Sequence, residues 1–381
     1  MNSVIVKREL EDTVRRHLFK KKTVIIYGAR QVGKTTLVGE LVKKQNTPAL
    51  WLNGDDADIR ELFAKANASK LVPVIGNYKL VVLDEAQRIA DAGLIIKIIH
   101  DNFKEIQLIV TGSSSFELAD KIKEPMTGRK LEFTLYPFSF SEMVDHHGFL
   151  TEKRLLEHRM IYGYYPEIAV NISLESKLLK NLASDYLYKD ILAIGQIKKP
   201  ILLEKILKAL ALQIGNEVSY HELAQLLVSD KNTIEKYIDL LEKAYIIFKL
   251  PGLSRNVRNE IKKGKKIYFY DNGIRNALLG NFLPLGARVD TGALWENFLI
   301  SGRMKYHANS DDEPKCYFWR TTQQQEIDYI EEFHNKFRAY EFKWGTLKRS
   351  FLSRTFSSAY PGSEFSNITP DNIHEFLGGV S

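Results

Sequence analysis

The sequence predicts an α/β fold for its first third, built on a mainly parallel sheet. Two observations carry this expectation: short β-rich runs alternate with helical stretches, and the first run leads into a glycine-rich turn that opens a helix. A third is the carboxylate pair Asp84-Glu85 closing a later apolar run, at the strand edge where ligands of such sheets bind.

Taken in order, strands are expected at Thr23–Tyr27, Ala49–Asn53, 80–83 and 107–111, where β-branched and apolar residues cluster between polar breaks. From 141 to 192 the apolar spacing turns helical, through Met143, His146, His147 and Leu150, then Leu178, Leu182, Tyr186 and Ile191. This reads as a helical lid or linker. After Pro200 come helices over 202–212, 219–227 and 232–244, then β-rich runs at 245–250 and 266–270 around a basic turn. That order is a winged helix-turn-helix. Ser219 with Glu222 makes a capping box, and Ile234, Ile238 and Leu241 give the third helix an inward stripe. Lys231, Asn232, Glu235, Lys236 and Asp239 are left outward, a face of mixed sign. Beyond Pro284 a helix is expected over 291–306, then strands at 316–320, 326–331 and 337–343. The division that follows is 1–140, 141–198, 199–282 and 283–381.

A chain of 381 residues is long enough for two or three cores. With 44% hydrophobic and 27% charged residues it has the balance of a soluble globular protein. Its apolar runs are too short to cross a bilayer, and charges stand where a signal peptide would be apolar, so a cytoplasmic location without membrane contact is expected. The single cysteine, Cys316, excludes an internal disulfide and a cysteine-built metal site. A net charge of +7 favours polyanionic partners.

Gly28-Ala29-Arg30-Gln31-Val32-Gly33-Lys34-Thr35 fits G-x-x-x-x-G-K-[ST], with Thr36 at the expected helix start. The glycines let backbone amides curl round phosphate oxygens, Lys34 reaches the β- and γ-phosphates, and the Thr35 hydroxyl ligates Mg²⁺. ATP and Mg²⁺ are therefore the expected cofactors. Asp84 suits the metal's water shell, and Glu85 suits orienting and deprotonating the attacking water. The turn Thr111-Gly112-Ser113-Ser114-Ser115 ends another strand and places Ser113 to sense the γ-phosphate.

The hairpin turn gathers Arg255, Arg258, Lys262, Lys263, Lys265 and Lys266 around Gly264 with only Glu260 opposing. These charges suit contacts with DNA phosphates. In the tail, Glu296 lies on a helix, Asp328 on a strand, and Glu341 with Lys343 on the next strand, where alternation puts the last two on one face. Asp328, Glu341 and Glu296 suit a divalent metal, and Lys343 suits polarising a phosphate or orienting water.

With these elements in place, the chain resembles AAA+-like P-loop ATPases, specifically a prokaryotic family joining such a core to a C-terminal domain of uncharacterised function. The resemblance is carried by GARQVGKTT (28–36), LVVLDEAQ (80–87), TGSSS (111–115), Gly128-Arg129, LYPFSFSE (135–142) and YGYYPE (162–167). It implies that Arg129 is an arginine finger, acting from a neighbouring subunit or within the chain. Tyr164 departs from the family, which has a second glycine beside Gly163. The tail resembles the PD-(D/E)XK nuclease superfamily in its order of Glu, Asp and E-x-K, and Trp319-Arg320 fits the ATPase family's own C-terminal pattern. The architecture implied is an AAA+-like ATPase core, a helical lid, a winged helix and a nuclease-like α/β domain. Two functions follow as expectations. One is an ATP-driven protein that engages DNA; the other is a nucleotide-controlled switch or scaffold for a protein partner, with an inactive nuclease-like fold.

Overall fold

β1 (Thr23–Tyr27), β2 (Ala49–Asn53), β3 (Leu80–Asp84), β4 (Gln107–Gly112) and β5 (Lys130–Thr134) run parallel in the order β2-β3-β4-β1-β5. β1, β3 and β4 are buried along their whole length, which is why they read as continuous apolar runs. β2 and β5 are edge strands and stay partly exposed. β1 and β2 have the expected bounds, and β3 and β4 each run one residue further. β5 is absent from the sequence reading because its KLEFT segment lacks an apolar run. The helix after the phosphate loop spans Lys34–Gln45 and so begins two residues before Thr36, with Gly33 as its left-handed N-cap. The computed structural model describes residues 5–64, 67–113, 126–171, 173–185, 197, 199–254, 264–310, 313–345 and 350–378. Ser114, Ser115, Tyr186, Ile191, Arg255, Arg258, Glu260, Lys262 and Lys263 lie outside them.

Short helices follow, among them Phe140–His147, Leu156–Tyr162 and Glu175–Asp185. Ser139 caps the first in a complete capping box with Glu142. Next come helices Pro200–Leu212, Tyr220–Leu226 and Lys231–Lys243, with β6 (Glu217–Val218), β7 (Ile247–Pro251) and β8 (Lys265–Phe269) in the order β6-β8-β7. Ser219 and Asp230 cap the second and third of these helices, and Ile234, Ile238 and Leu241 are buried as the spacing requires.

The tail is a long helix, Thr291–Asn309, against β9 (Lys315–Arg320), β10 (Glu326–Phe333), β11 (Lys336–Phe342) and β12 (Glu364–Ile368), in the order β12-β11-β10-β9. β9–β10–β11 are antiparallel and β12 joins parallel to β11. Asp271 ties the parts together. Its Oδ1 accepts from Gly273 N and Ile274 N, capping helix Asn272–Leu279, while Oδ2 accepts from Tyr164 N at 2.7 Å. Asn272 and Asn276 donate to the carbonyls of Met160 and Ile161 in helix Leu156–Tyr162. Among the described residues, no helix is long and apolar enough to cross a membrane.

Candidate functional site

β1 delivers Gly28 and β3 delivers Asp84 to the same edge of the sheet, because both strands point the same way within one parallel ladder. Gly28 has φ +154°, and a Cβ there would stand 2.2 Å from the Leu135 carbonyl oxygen, so only glycine fits. Gln31 (φ +61°) and Gly33 (φ +95°) continue the curl in left-handed conformations, and Ala29 and Val32 are buried beneath it. Lys34 is buried, and its ammonium spans the loop by donating to the Gly28 and Ala29 carbonyls at 3.0 and 2.9 Å. Thr35 Oγ1 donates to Asp84 Oδ2 at 2.8 Å. Thr111 donates its hydroxyl to the other Asp84 oxygen and accepts from Glu85 N at 3.1 Å.

Glu85 sits at φ +49°, a turn that carries the chain off β3 and into a 3₁₀ segment, Ala86–Arg88. A residue missed in the sequence reading fixes its side chain. Gln87 Nε2 donates to Glu85 Oε2 and to Ser113 Oγ at 2.7 Å, and Gln87 Oε1 accepts from Ser113 N at 3.2 Å. Ser113 and Glu85 are thus joined through one buried amide. Gln87 stood inside the quoted LVVLDEAQ segment, but its partner lies 26 residues on, where local spacing gives no signal.

Beside Gly33 and Thr36 opens a cavity of about 460 Å³, walled by Ile5, Val6, Leu37, Phe138 and Pro166 with polar groups at Lys7, Glu40 and Asn171. Arg8, 7% exposed, joins its wall to the loop. Its guanidinium donates to the carbonyls of Val32 at 2.8 Å and Tyr136 at 2.6 Å, and to Glu142 Oε1 at 2.9 Å.

Arg129 lies at the other end of the sheet. Its carbonyl accepts from Thr23 N, the first residue of β1, and its guanidinium pairs with Asp101 at 3.2 Å. The length of β1 separates it from the loop, roughly 13 Å at the rise of a strand. Arg129 therefore cannot act on its own chain's phosphate loop, which corrects the within-chain arm of that expectation.

In the tail, a register irregularity between Ile327 and Ile330 on β10 surrounds Asp328, whose Oδ2 accepts from Phe342 N at 2.8 Å on β11. Burial, then the charges of Glu296 and Glu341, push the Asp328 carboxyl well above its usual range. Glu341 Oε1 accepts from Lys343 Nζ at 2.7 Å, as the alternation requires. Lys266 corrects the expectation of a phosphate-contacting turn residue. It is 1% exposed and pairs with Glu296 at 3.0 Å and Glu326 at 2.6 Å. Burial depresses its pKa, but the two carboxylates outweigh this and raise it. Lys265, next to it, remains half-buried. Among the described residues, no three His, Cys, Asp or Glu side chains are grouped so as to hold a metal ion, so Glu296, Asp328 and Glu341 meet as neighbours rather than as a ligand set. Cys316 is an ordinary packed thiol that accepts from the Tyr329 hydroxyl at 2.9 Å and is pushed up to about 11 by burial.

Residues 20–144 match the family described as AAA domain. Residues 153–284 and 291–371 match two families each described as a domain of unknown function, DUF8612 and DUF4143. An uncharacterized protein of Mycobacterium tuberculosis is 26% identical over 360 residues, covering 93% of this chain and 77% of its own. An uncharacterized protein of Methanocaldococcus jannaschii is 24% identical over 357 residues, covering 87% of this chain and 76% of its own. Among solved structures, the Thermotoga maritima RuvB Holliday junction branch migration motor aligns at 15% identity and a TM-score of 0.34, over 68% of this chain and 95% of that one. Residues 20–144 thus carry an AAA-like domain on a parallel α/β sheet.

Proposed function

We propose that this chain binds ATP at Gly28, Ala29, Arg30, Gln31, Val32, Gly33, Lys34, Thr35 and Thr36 and hydrolyses it with Glu85 as the base. The observation that carries this reading is the 2.8 Å contact between Thr35 and Asp84, which brings the phosphate loop and the carboxylate strand end to one point. A hydroxyl and a carboxylate so joined are hard oxygen donors that fit Mg²⁺, which when bound would neutralise charge on the β- and γ-phosphates. Lys34, tethered to the loop carbonyls, is placed to turn to the same phosphates. Glu85 takes a proton from water as its oxygen attacks the γ-phosphorus, and the bond to the bridging oxygen breaks with its electron pair leaving on ADP. Gln87 holds Glu85 against Ser113, and the apolar cavity beside Gly33 has the size for the base. Nucleotide binding and turnover test the reading together. Lys34→Ala should lose binding, and Glu85→Gln should bind but turn over at least about a hundredfold more slowly. Unchanged turnover in both variants would sink it.

We further propose that the helices 200–243 and the sheet β6-β8-β7 form a winged helix that engages DNA, supported by their order and by the basic composition around 255–265. Affinity for duplex DNA should fall steeply with salt, and a Lys262, Lys263, Lys265 triple alanine variant should weaken it and flatten that slope. An affinity indifferent to both points to the other reading, a nucleotide-controlled scaffold for a protein partner. The burial of Lys266 against Glu296 favours that reading for the tail. Arg129 is proposed to serve only a neighbouring copy in a homo-oligomer.

A further inference from the structure

The hairpin unit and the tail meet along a seam. Leu253 N donates to the Phe318 carbonyl at 2.7 Å, and Gly252 bridges Phe318, so β7 runs directly onto β9. Asn297 on the long helix accepts from Phe269 N at 2.7 Å and donates to its carbonyl at 3.0 Å, which fixes that helix alongside β8. At the centre of the seam lies an acidic pocket made by Glu296, Glu326, Asp328 and Glu341, and its fill comes from the hairpin unit. The Lys266 ammonium stands between Glu296 Oε1 at 3.0 Å and Glu326 Oε1 at 2.6 Å, over the Phe318 ring at 5.4 Å. Tyr268 donates its hydroxyl to the same Glu296 oxygen at 2.5 Å.

We propose that Lys266 is the resident cation of this pocket and that the pocket, so filled, excludes a divalent metal ion. The residues do not fit a metal in three respects. Mg²⁺ and Mn²⁺ need oxygens turned inward at about 2.1 Å, whereas Glu296 and Glu326 are turned toward nitrogen. The other two carboxylates are also engaged, Glu341 by Lys343 at 2.7 Å and Asp328 by the Phe342 amide at 2.8 Å. A second cation would also have to enter beside the fixed positive charge of the buried Lys266, which repels it. The lysine is anchored at its backbone. Its backbone lies in the middle strand of the small sheet, paired with Glu217 on one side and Leu250 on the other. To leave the carboxylates its buried ammonium would have to give up both ion pairs. The carboxylate order that resembles a nuclease therefore serves here as one half of an ionic clasp, and the other half is supplied by a different unit of the chain. This inference is independent of the nucleotide site.

Mn²⁺ binding to the full-length chain, read by electron paramagnetic resonance of the free ion without nucleotide, is the test. Wild type and Asp328→Asn should bind the same number of ions, any ion at Thr35 and Asp84 being common to both. Lys266→Met should gain one ion at least tenfold tighter than any wild-type binding at the tail, and adding Asp328→Asn should remove it. One more ion in wild type than in Asp328→Asn overturns the proposal. A folded Lys266→Met that gains none overturns it too. The wild-type comparison stands by itself should Lys266→Met fail to fold, since Asn at 328 keeps the acceptor for Phe342.

Discussion

Gly28 and Gln87 divide what one residue reveals alone from what it reveals only in company. Gly28 was legible because the motif states its own requirement: a φ of +154° with a carbonyl 2.2 Å from where a Cβ would stand. Gly28→Ala should abolish ATP binding or lower the melting temperature by several degrees, read by nucleotide titration and thermal unfolding. Gln87 was not legible, because its task is to bridge the ends of two different strands. Gln87→Ala should lower kcat roughly tenfold with KM nearly unchanged, since it positions Glu85 without lining the cavity. An unchanged kcat would make the amide a packing contact only. Lys266 was misjudged for the same reason. In a run of lysines each charge looks solvated, and its carboxylate partner Glu296 lies 30 residues on.

Among elements, the buried strands announced themselves and so did the edge strand β2, whereas the edge strands β5 and β12 did not. β1, β3 and β4 are buried throughout, while β5 has no buried position and β12 only Ile368, so both owe their pairing to the neighbour they join. The contact between helix Thr291–Asn309 and β10 was likewise hidden in the sequence, as it depends on ion pairs between them. Glu331 is fully buried and accepts from Arg303 Nε and His307 Nε2, both at 2.6 Å. Burial would raise its pKa, but those hydrogen bonds and the guanidinium charge bring it down to about 2 from 4.5. A depressed carboxyl contributes stability that is complete above its unfolded value and lost as pH falls through its folded one. Between pH 4.5 and 2 wild type should therefore lose roughly 3 kcal/mol that Glu331→Gln does not lose, measured by urea unfolding across that range. Parallel pH profiles for the two proteins would refute the assignment.

For the whole molecule, changes in periodicity lead to the expectation of four units, but the core that the parts share was not readable. One buried apolar cluster runs from Val6 and Leu10 through Phe140, Tyr164 and Ile274 to Phe298 and Leu377. Lys305 adds a polar tie, its buried ammonium donating to the Phe138 carbonyl at 3.3 Å. The AAA-like domain and the tail should therefore unfold in one calorimetric transition, and a slowly hydrolysed ATP analogue should shift all of it upward. Two transitions, with only the first moved by nucleotide, would show that the shared core does not couple them.

The Arg8 clamp on the phosphate loop also sets a timetable for synthesis. Arg8 is made 134 residues before its partner Glu142, and β1 must likewise wait for β4 and then β5 before its two edges are paired. Until then the loop sequence is complete but lacks the clamp and the neighbouring strands that hold its shape. A nascent chain stalled shortly before Tyr136 would carry every residue of the phosphate motif and still be unable to grip a nucleotide.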